Sequence, residues 1–219
     1  MIASPKIPAI YLFLFLFLIS GSIFMCEDQG WINNEISFNV NKNWDFAVSN
    51  EGRYEEITYQ NPYLKNWQAG VIYTLPRDLY LGFRYKRETT DEILFNLAEN
   101  RFTLETGWKK NLTGTVKLDL RFKAEIREFE KELADDHLRL RFRIRFTTAF
   151  NIGGLNLKPF IATEPFGDTL SNTIFRNRFY LGTAIVLSDK IDLIINYIRQ
   201  DTKDQETIHI LNTGFDIGI

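Results

Sequence analysis

The sequence predicts an all-β fold: an antiparallel up-and-down transmembrane β-barrel of about 10–12 strands, preceded by a cleaved signal peptide. Three observations predict it. From Leu138 to Phe146 charged and apolar residues alternate without a break, and only an extended strand, with its period of two, sorts such a pattern onto two faces. Short turns alternate along the chain with longer polar links, as hairpins strung around a barrel require. Beyond the amino-terminal region no apolar run is long enough for a transmembrane helix, so a membrane form must cross with strands.

Lys6 precedes an apolar run from Ala9 to Ile19, and Ser20-Gly21-Ser22 supplies the small residues of a cleavage site. Residues 1–22 therefore read as a signal peptide and residues 23–219 as one barrel domain. The single cysteine, Cys26, excludes an internal disulfide framework and a Cys-based zinc site. Ile23-Phe24-Met25 lacks the small residue that lipid modification of Cys26 prefers. Export without disulfides fits a bacterial envelope protein. Lys plus Arg number 26 and Asp plus Glu 28, a net charge of −2 that leaves no footprint for nucleic acid. The implied partners are outer-membrane lipid and the barrel-assembly machinery; no residue pattern asks for a cofactor or fixes an oligomeric state.

The strands follow in order. Ile36, Phe38 and Val40 alternate with Glu35, Ser37 and Asn39 in a strand over Trp31–Val40. Trp44, Phe46 and Val48 alternate with Asp45, Ala47, Ser49, Glu51 and Arg53. Trp67, Ala69, Val71, Tyr73 and Leu75 form a third strand. The fourth has Leu79, Leu81, Phe83 and Tyr85 on one face against Tyr80, Gly82, Arg84 and Lys86. The fifth sets Phe102, Leu104, Thr106 and Trp108 against Arg101, Thr103, Glu105 and Lys109. In the sixth, Val116, Leu118, Leu120, Phe122, Ala124 and Ile126 oppose Lys117, Asp119, Arg121, Lys123, Glu125 and Arg127. The seventh is the arginine strand, with Arg139, Arg141, Arg143 and Arg145 on one side. Weaker strands cover Leu157–Glu164, Arg176–Leu187 and Ile191–Arg199, and the last runs from about Thr207 to Ile219.

Asn41–Asn43, Pro76–Asp78, Lys110–Gly114, Gly153–Gly154 and Ser188–Lys190 are tight turns. Glu55–Tyr63, Glu88–Asn100, Glu128–Asp136, Pro165–Phe175 and Gln200–Glu206 are the longer links. In bacterial barrels the tight end is periplasmic. The count is eleven strands, whereas bacterial single-chain barrels have an even number. With tight turns periplasmic, the Trp31–Val40 strand would also start outside the cell. Either it is a terminal strand in or beside a ten-stranded wall, or a strand is hidden, most naturally near Ile93-Leu94-Phe95.

The competing architecture is a secreted soluble barrel or sandwich with the apolar face turned to a core. Three features favour lipid. Aromatics gather near strand ends, at Trp31, Trp44, Tyr63, Trp67, Tyr73, Tyr80, Tyr85, Trp108 and Tyr197, as interface girdles require. The chain is organised as hairpins rather than Greek-key crossovers. Its last strand carries Asn212, Gly214, Ile217 and Ile219, a spacing similar to the carboxy-terminal signal read by the assembly machinery, with Ile219 in place of the usual aromatic.

Gly30-Trp31, Trp44 after the first turn, Lys158-Pro159-Phe160…Glu164-Pro165-Phe166, Asn177-Arg178-Phe179-Tyr180-Leu181-Gly182 and the closing strand carry a resemblance. Over essentially the whole mature chain the sequence resembles a bacterial family of predicted outer-membrane β-barrels known as a domain of unknown function. The resemblance implies fold and location, and supplies no reaction or ligand.

If the apolar face meets lipid, the charged face lines the lumen. Strands six and seven then contribute Lys117, Arg121, Lys123, Arg127, Arg139, Arg141, Arg143 and Arg145. Glu35, Asp45, Glu51, Glu55, Asp192 and Asp216, with Arg53 and Arg199 as basic exceptions, lie on the strands that would form the opposite wall. Opposed basic and acidic walls would make a narrow channel selective among ions and small polar solutes. The alternative is that these charges pair and plug the barrel, giving a structural or surface-interaction protein. Glu164 is placed to pair with Lys158. A lipid-modifying enzyme would need His137 or His209 beside a nucleophile such as Ser171 or with Asn212 recruited, and no spacing supports it; the expectation is a non-enzymatic protein.

Overall fold

The structure, a computed structural model, describes residues 28–55, 61–91, 96–130, 135–170 and 173–219. The signal-peptide segment, Cys26, Ile93-Leu94-Phe95 and Ser171 lie outside the described residues. The strands are β1 (Gln29–Asn39), β2 (Trp44–Tyr54), β3 (Leu64–Thr74), β4 (Leu79–Asp91), β5 (Asn96–Asn111) and β6 (Val116–Phe129). They continue as β7 (His137–Thr148), β8 (Phe150–Ile152), β9 (Leu155–Asp168), β10 (Ile174–Ser188), β11 (Ile191–Thr202) and β12 (Ile208–Gly218).

Consecutive strands pair antiparallel around the wall, and β12 returns to β1 to close it. β8 stands apart. It folds back through Gly153 and Gly154, whose φ values of 58° and 90° suit glycine, and pairs only with the first residues of β9. The wall therefore has the eleven strands read from the sequence, and the expectation of an even number fails. An odd wall of up-and-down strands must contain one parallel pair, and β1 with β12 is that pair. The Trp31–Val40 strand is thus a full member of the wall.

The parallel seam is uneven. Gln29 to Ile32 pair with Ile210 to Thr213, and Glu35 to Ser37 with Asp216 to Gly218. Between these runs the Asn34 side chain accepts a hydrogen bond from the Phe215 amide at 3.1 Å, standing in for the interrupted ladder. A Cβ on Gly214 would fall on the Asn33 carbonyl oxygen, so the backbones approach here as only glycine allows. β7 and β9 show a second gap, at Phe142-Arg143 opposite Glu164-Pro165, where proline has no N–H to give.

The period-two pattern decides which side meets which solvent. Arg139, Arg141, Arg143 and Arg145 point inward, while Leu140, Phe142 and Phe146 lie on the outer surface. Leu104 is 63 %, Ile126 52 % and Trp67 49 % exposed, and such side chains recur on the outer face of strand after strand. An apolar band of this extent on a monomer is stable against lipid, not water. Among the described residues no protein layer covers the apolar face, which is the arrangement a lipid-facing wall requires.

Ring contacts mark the girdles: Trp44 with Tyr73 at 4.7 Å between centroids towards the tight turns, and Trp67 with Tyr85 at 5.4 Å towards the long links. The Trp108 indole donates to the Arg77 carbonyl at 3.2 Å. Two residues expected in the girdles are elsewhere. Trp31 and Tyr80 fall on inward parity and are 4 % and 5 % exposed.

Candidate functional site in the barrel lumen

Inward-facing residues on neighbouring strands stand about 5 Å apart, close enough for ion pairs. Three chains of charge result. Towards the long links, Glu88 takes Lys86 at 2.6 Å and Arg101 at 3.2 Å. Arg101 Nε also donates to Glu99 at 2.7 Å, and Glu99 accepts Arg127 Nε at 2.7 Å. In the middle, Glu164 accepts Arg121 at 3.1 Å, Arg141 at 2.9 Å and the Tyr180 hydroxyl at 2.7 Å. Arg141 reaches on to Glu125 at 2.8 Å. Beside this, Glu105 takes Lys123 at 3.2 Å and Arg84 at 3.6 Å, and Arg84 continues to Glu35 at 3.0 Å.

Like charges stand directly across several rungs, Arg121 opposite Arg143 and Lys123 opposite Arg141. Such rungs repel; here Arg141 and Arg143 turn to Glu125 and Asp119 one step along β6, Lys123 to Glu105 opposite it on β5, and Arg121 to Glu164 on β9. Glu164, 1 % exposed, is the most heavily used of these acceptors. Removing one partner of a buried pair leaves an uncompensated charge and costs about 3–5 kcal/mol, so these chains are interdependent.

A second arrangement occupies the β10–β1 side. Ile198, Ile210 and Trp31 form a buried apolar cluster, with Tyr180 and Ile208 against it. Over it runs a ladder of guanidinium groups and rings. Arg53 lies 4.0 Å and Arg178 4.9 Å from the Trp31 ring, while Arg178 and Arg141 flank Phe166 at 4.9 and 4.6 Å. Arg145 sits 3.8 Å from the Phe160 ring. Each such contact contributes about 0.5–2 kcal/mol depending on desolvation.

Between the two arrangements lies a cavity of about 600 Å³. Among the described residues thirteen Lys and Arg side chains line it against four Glu, so cations dominate that lining. Glu99, Glu105, Glu125 and Asp119 pair with some of those cations without lining the cavity, and still leave them in excess.

Of the residues expected in the pore, Arg121, Lys123, Arg127, Arg139, Arg141, Arg143, Arg145, Glu35 and Glu51 line this cavity. Lys117 is exposed near the tight turns, and Glu55 is exposed one residue beyond β2. Asp45, Asp192 and Asp216 are on inward parity near the tight turns but do not reach the cavity. The two opposed walls are not how the charges are arranged. Glu35 pairs with Arg84, Glu51 with Arg53 and Asp192 with Lys158, the last at 2.8 Å. The cations of β6 and β7 find carboxylates on β5, β6 and β9, because a neighbouring strand is within reach and the far wall is a lumen's width away. Glu164 accordingly serves Arg121 and Arg141, not Lys158.

Sequence reasoning overlooked Arg84, Lys86, Glu88, Glu99, Arg101, Glu105, Arg176 and Arg178 as lumen residues. Following inward parity through every strand finds most of them. His137 bonds Arg127 through Nε2 at 3.1 Å and the Asp135 carbonyl through Nδ1 at 2.9 Å; His209 bonds the Tyr197 hydroxyl. Among the described residues neither ring meets a carboxylate or a serine.

Residues 28–209 match the family described as protein of unknown function DUF2490. The chain belongs to the DUF2490 family. No curated protein matches this DUF2490 chain. Among solved structures it is similar to the beta domain of the Bordetella autotransporter BrkA. That match has 12 % sequence identity and a TM-score of 0.50, over 85 % of this chain and 96 % of that one. At that identity the likeness concerns the fold alone.

Proposed function

We propose that this DUF2490 protein resides in the bacterial outer membrane and provides a narrow lumen that favours anions, acting without catalysis. The observation that carries the reading is the excess of cations over carboxylates on the cavity wall. Side chains of one charge lining a confined aqueous space select for the opposite charge. The apolar outer band and the likeness to an autotransporter beta domain support the location.

The test is single-channel recording of the refolded mature protein in a planar bilayer under a salt gradient. Discrete steps with an anion-selective reversal potential are expected, and Arg143→Gln with Arg145→Gln together should shift that potential towards zero. Unchanged selectivity in the double variant overturns the reading. A second reading has its own support: the cavity lining stops short of Asp45, Asp192 and Asp216 towards the tight turns. A closed chamber would give silence from protein shown to be inserted. Fractionation of the envelope tests the location independently.

A further inference from the structure

Among the described residues four lumen cations lack a close carboxylate: Arg145, on the Phe160 ring towards the tight turns, and Arg139, Arg176 and Arg178, gathered towards the long links. Among the described residues no carboxylate lies within ion-pair distance of Arg176 or Arg178, and Arg139 has only Glu125, at the 4.0 Å limit. Glu125 is already engaged by Arg141 at 2.8 Å.

Neutral groups hold these guanidinium groups in place. Arg176 Nε donates to the Thr202 hydroxyl at 3.1 Å and Arg178 Nε to the Gln200 side-chain oxygen at 2.7 Å. Both acceptors lie on β11, each directly opposite its arginine. Phe175 packs beneath Arg139 and Arg176, at 5.7 and 5.4 Å. Arg178, 7 % exposed, is clasped between Trp31 and Phe166. In Arg176 and Arg178 the Nε edge is anchored, and among the described residues the two terminal nitrogens have no hydrogen-bond partner. All three residues line the cavity.

Arg176 shares the cavity wall with four further cations, Arg178, Arg53, Arg127 and Arg141. Like charges gathered away from bulk water are costly unless a counter-charge joins them. A lone halide offers one charge and no geometry. A pair of linked oxyanion groups offers planar oxygen edges matched to guanidinium forks.

We infer that the half of the lumen nearer the long links is a binding site for a small solute carrying two or more phosphate-type oxyanion groups, clasped by Arg139, Arg176 and Arg178. The inference deepens the anion-favouring lumen proposed above and rests on it for its biological setting, though binding is measurable without a membrane.

The test is titration calorimetry of the mature protein in detergent micelles with inorganic pyrophosphate, at constant ionic strength set by sodium chloride. Saturable one-to-one binding is expected. Arg176→Gln and Arg178→Gln should each weaken it about tenfold or more, Arg176→Lys should restore part of it, and Lys117→Gln at the far rim should leave it unchanged. Urea unfolding gives a second readout. Without pyrophosphate Arg176→Gln should unfold at the same or higher urea than the parent, and it should lose the midpoint shift that pyrophosphate gives the parent. Heat that does not saturate, binding undiminished in both glutamine variants, or parent stability indifferent to pyrophosphate each overturns the inference. Binding without conductance removes the passage and keeps the site; anion-selective currents from a protein that binds no pyrophosphate remove the site and keep the passage.

Discussion

The β4–β9 arc and the β10–β1 arc of the lumen hold their arginines by different means. In the first, each guanidinium group of the central chain has a carboxylate: Glu164 takes Arg121 and Arg141, and Glu125 also takes Arg141. In the second, Arg178 rests on Trp31, Phe166 and Gln200 and keeps its charge uncompensated. Charges used to brace a narrow barrel are consumed by their partners. Charges braced by rings and amides remain available. The Glu164-centred chain thus holds shape, while Arg176 and Arg178, joined by Arg139 and Arg145 of β7, present a field.

The largest effect is expected where the second arc closes. Gly214→Ala puts a methyl group onto the Asn33 carbonyl, and no side-chain rotation relieves a backbone clash. Refolding should yield little of the compact form that migrates faster in an unheated electrophoresis sample; parent-like yield would show that the seam yields. Next, Glu164→Ala strips Arg121, Arg141 and Tyr180 of a shared acceptor and should cost about 3–5 kcal/mol in urea unfolding. A loss under about 1 kcal/mol would mean that water replaces the carboxylate easily. The smallest effect sharpens the contrast best. Arg141→Gln on the paired arc should destabilise, whereas Arg176→Gln on the unpaired arc should be neutral or stabilising by up to about 1 kcal/mol. Equal losses from both would erase the distinction between the arcs.

Much of the wall was legible because a membrane enforces strict alternation. Leu138–Phe146 and Val116–Arg127 must keep hydrocarbon on one side and charge on the other, so β6 and β7 could be read nearly to their ends. The signal fades where strands rise past the lipid. Glu88–Asp91 and Asn96–Asn100 read as loop, yet they extend β4 and β5. There both faces are polar: outward Arg87 pairs with Glu130 and bonds Asn100, while inward Glu88 and Glu99 join the ionic chain. Those two carboxylates were missed for that reason. The pairing scheme was illegible for another. A list of charges by strand does not say that Glu164 projects between Arg121 and Arg141, since that follows from the register of β9 against β7. Trp31 and Tyr80 were misplaced because an aromatic near a strand end suits a headgroup layer and a narrow lumen equally well.

The parallel seam has a consequence for topology. In a wall with an even number of up-and-down strands, the chain enters and leaves on the same side of the bilayer. Here β1 sets out from the rim of the long links, and β12 finishes at the rim of the tight turns. The two ends of the described wall thus lie at opposite rims of the barrel. A probe attached at Asp28 and another at Ile219 would therefore report on opposite mouths of the lumen, where an even-stranded wall would bring both to one.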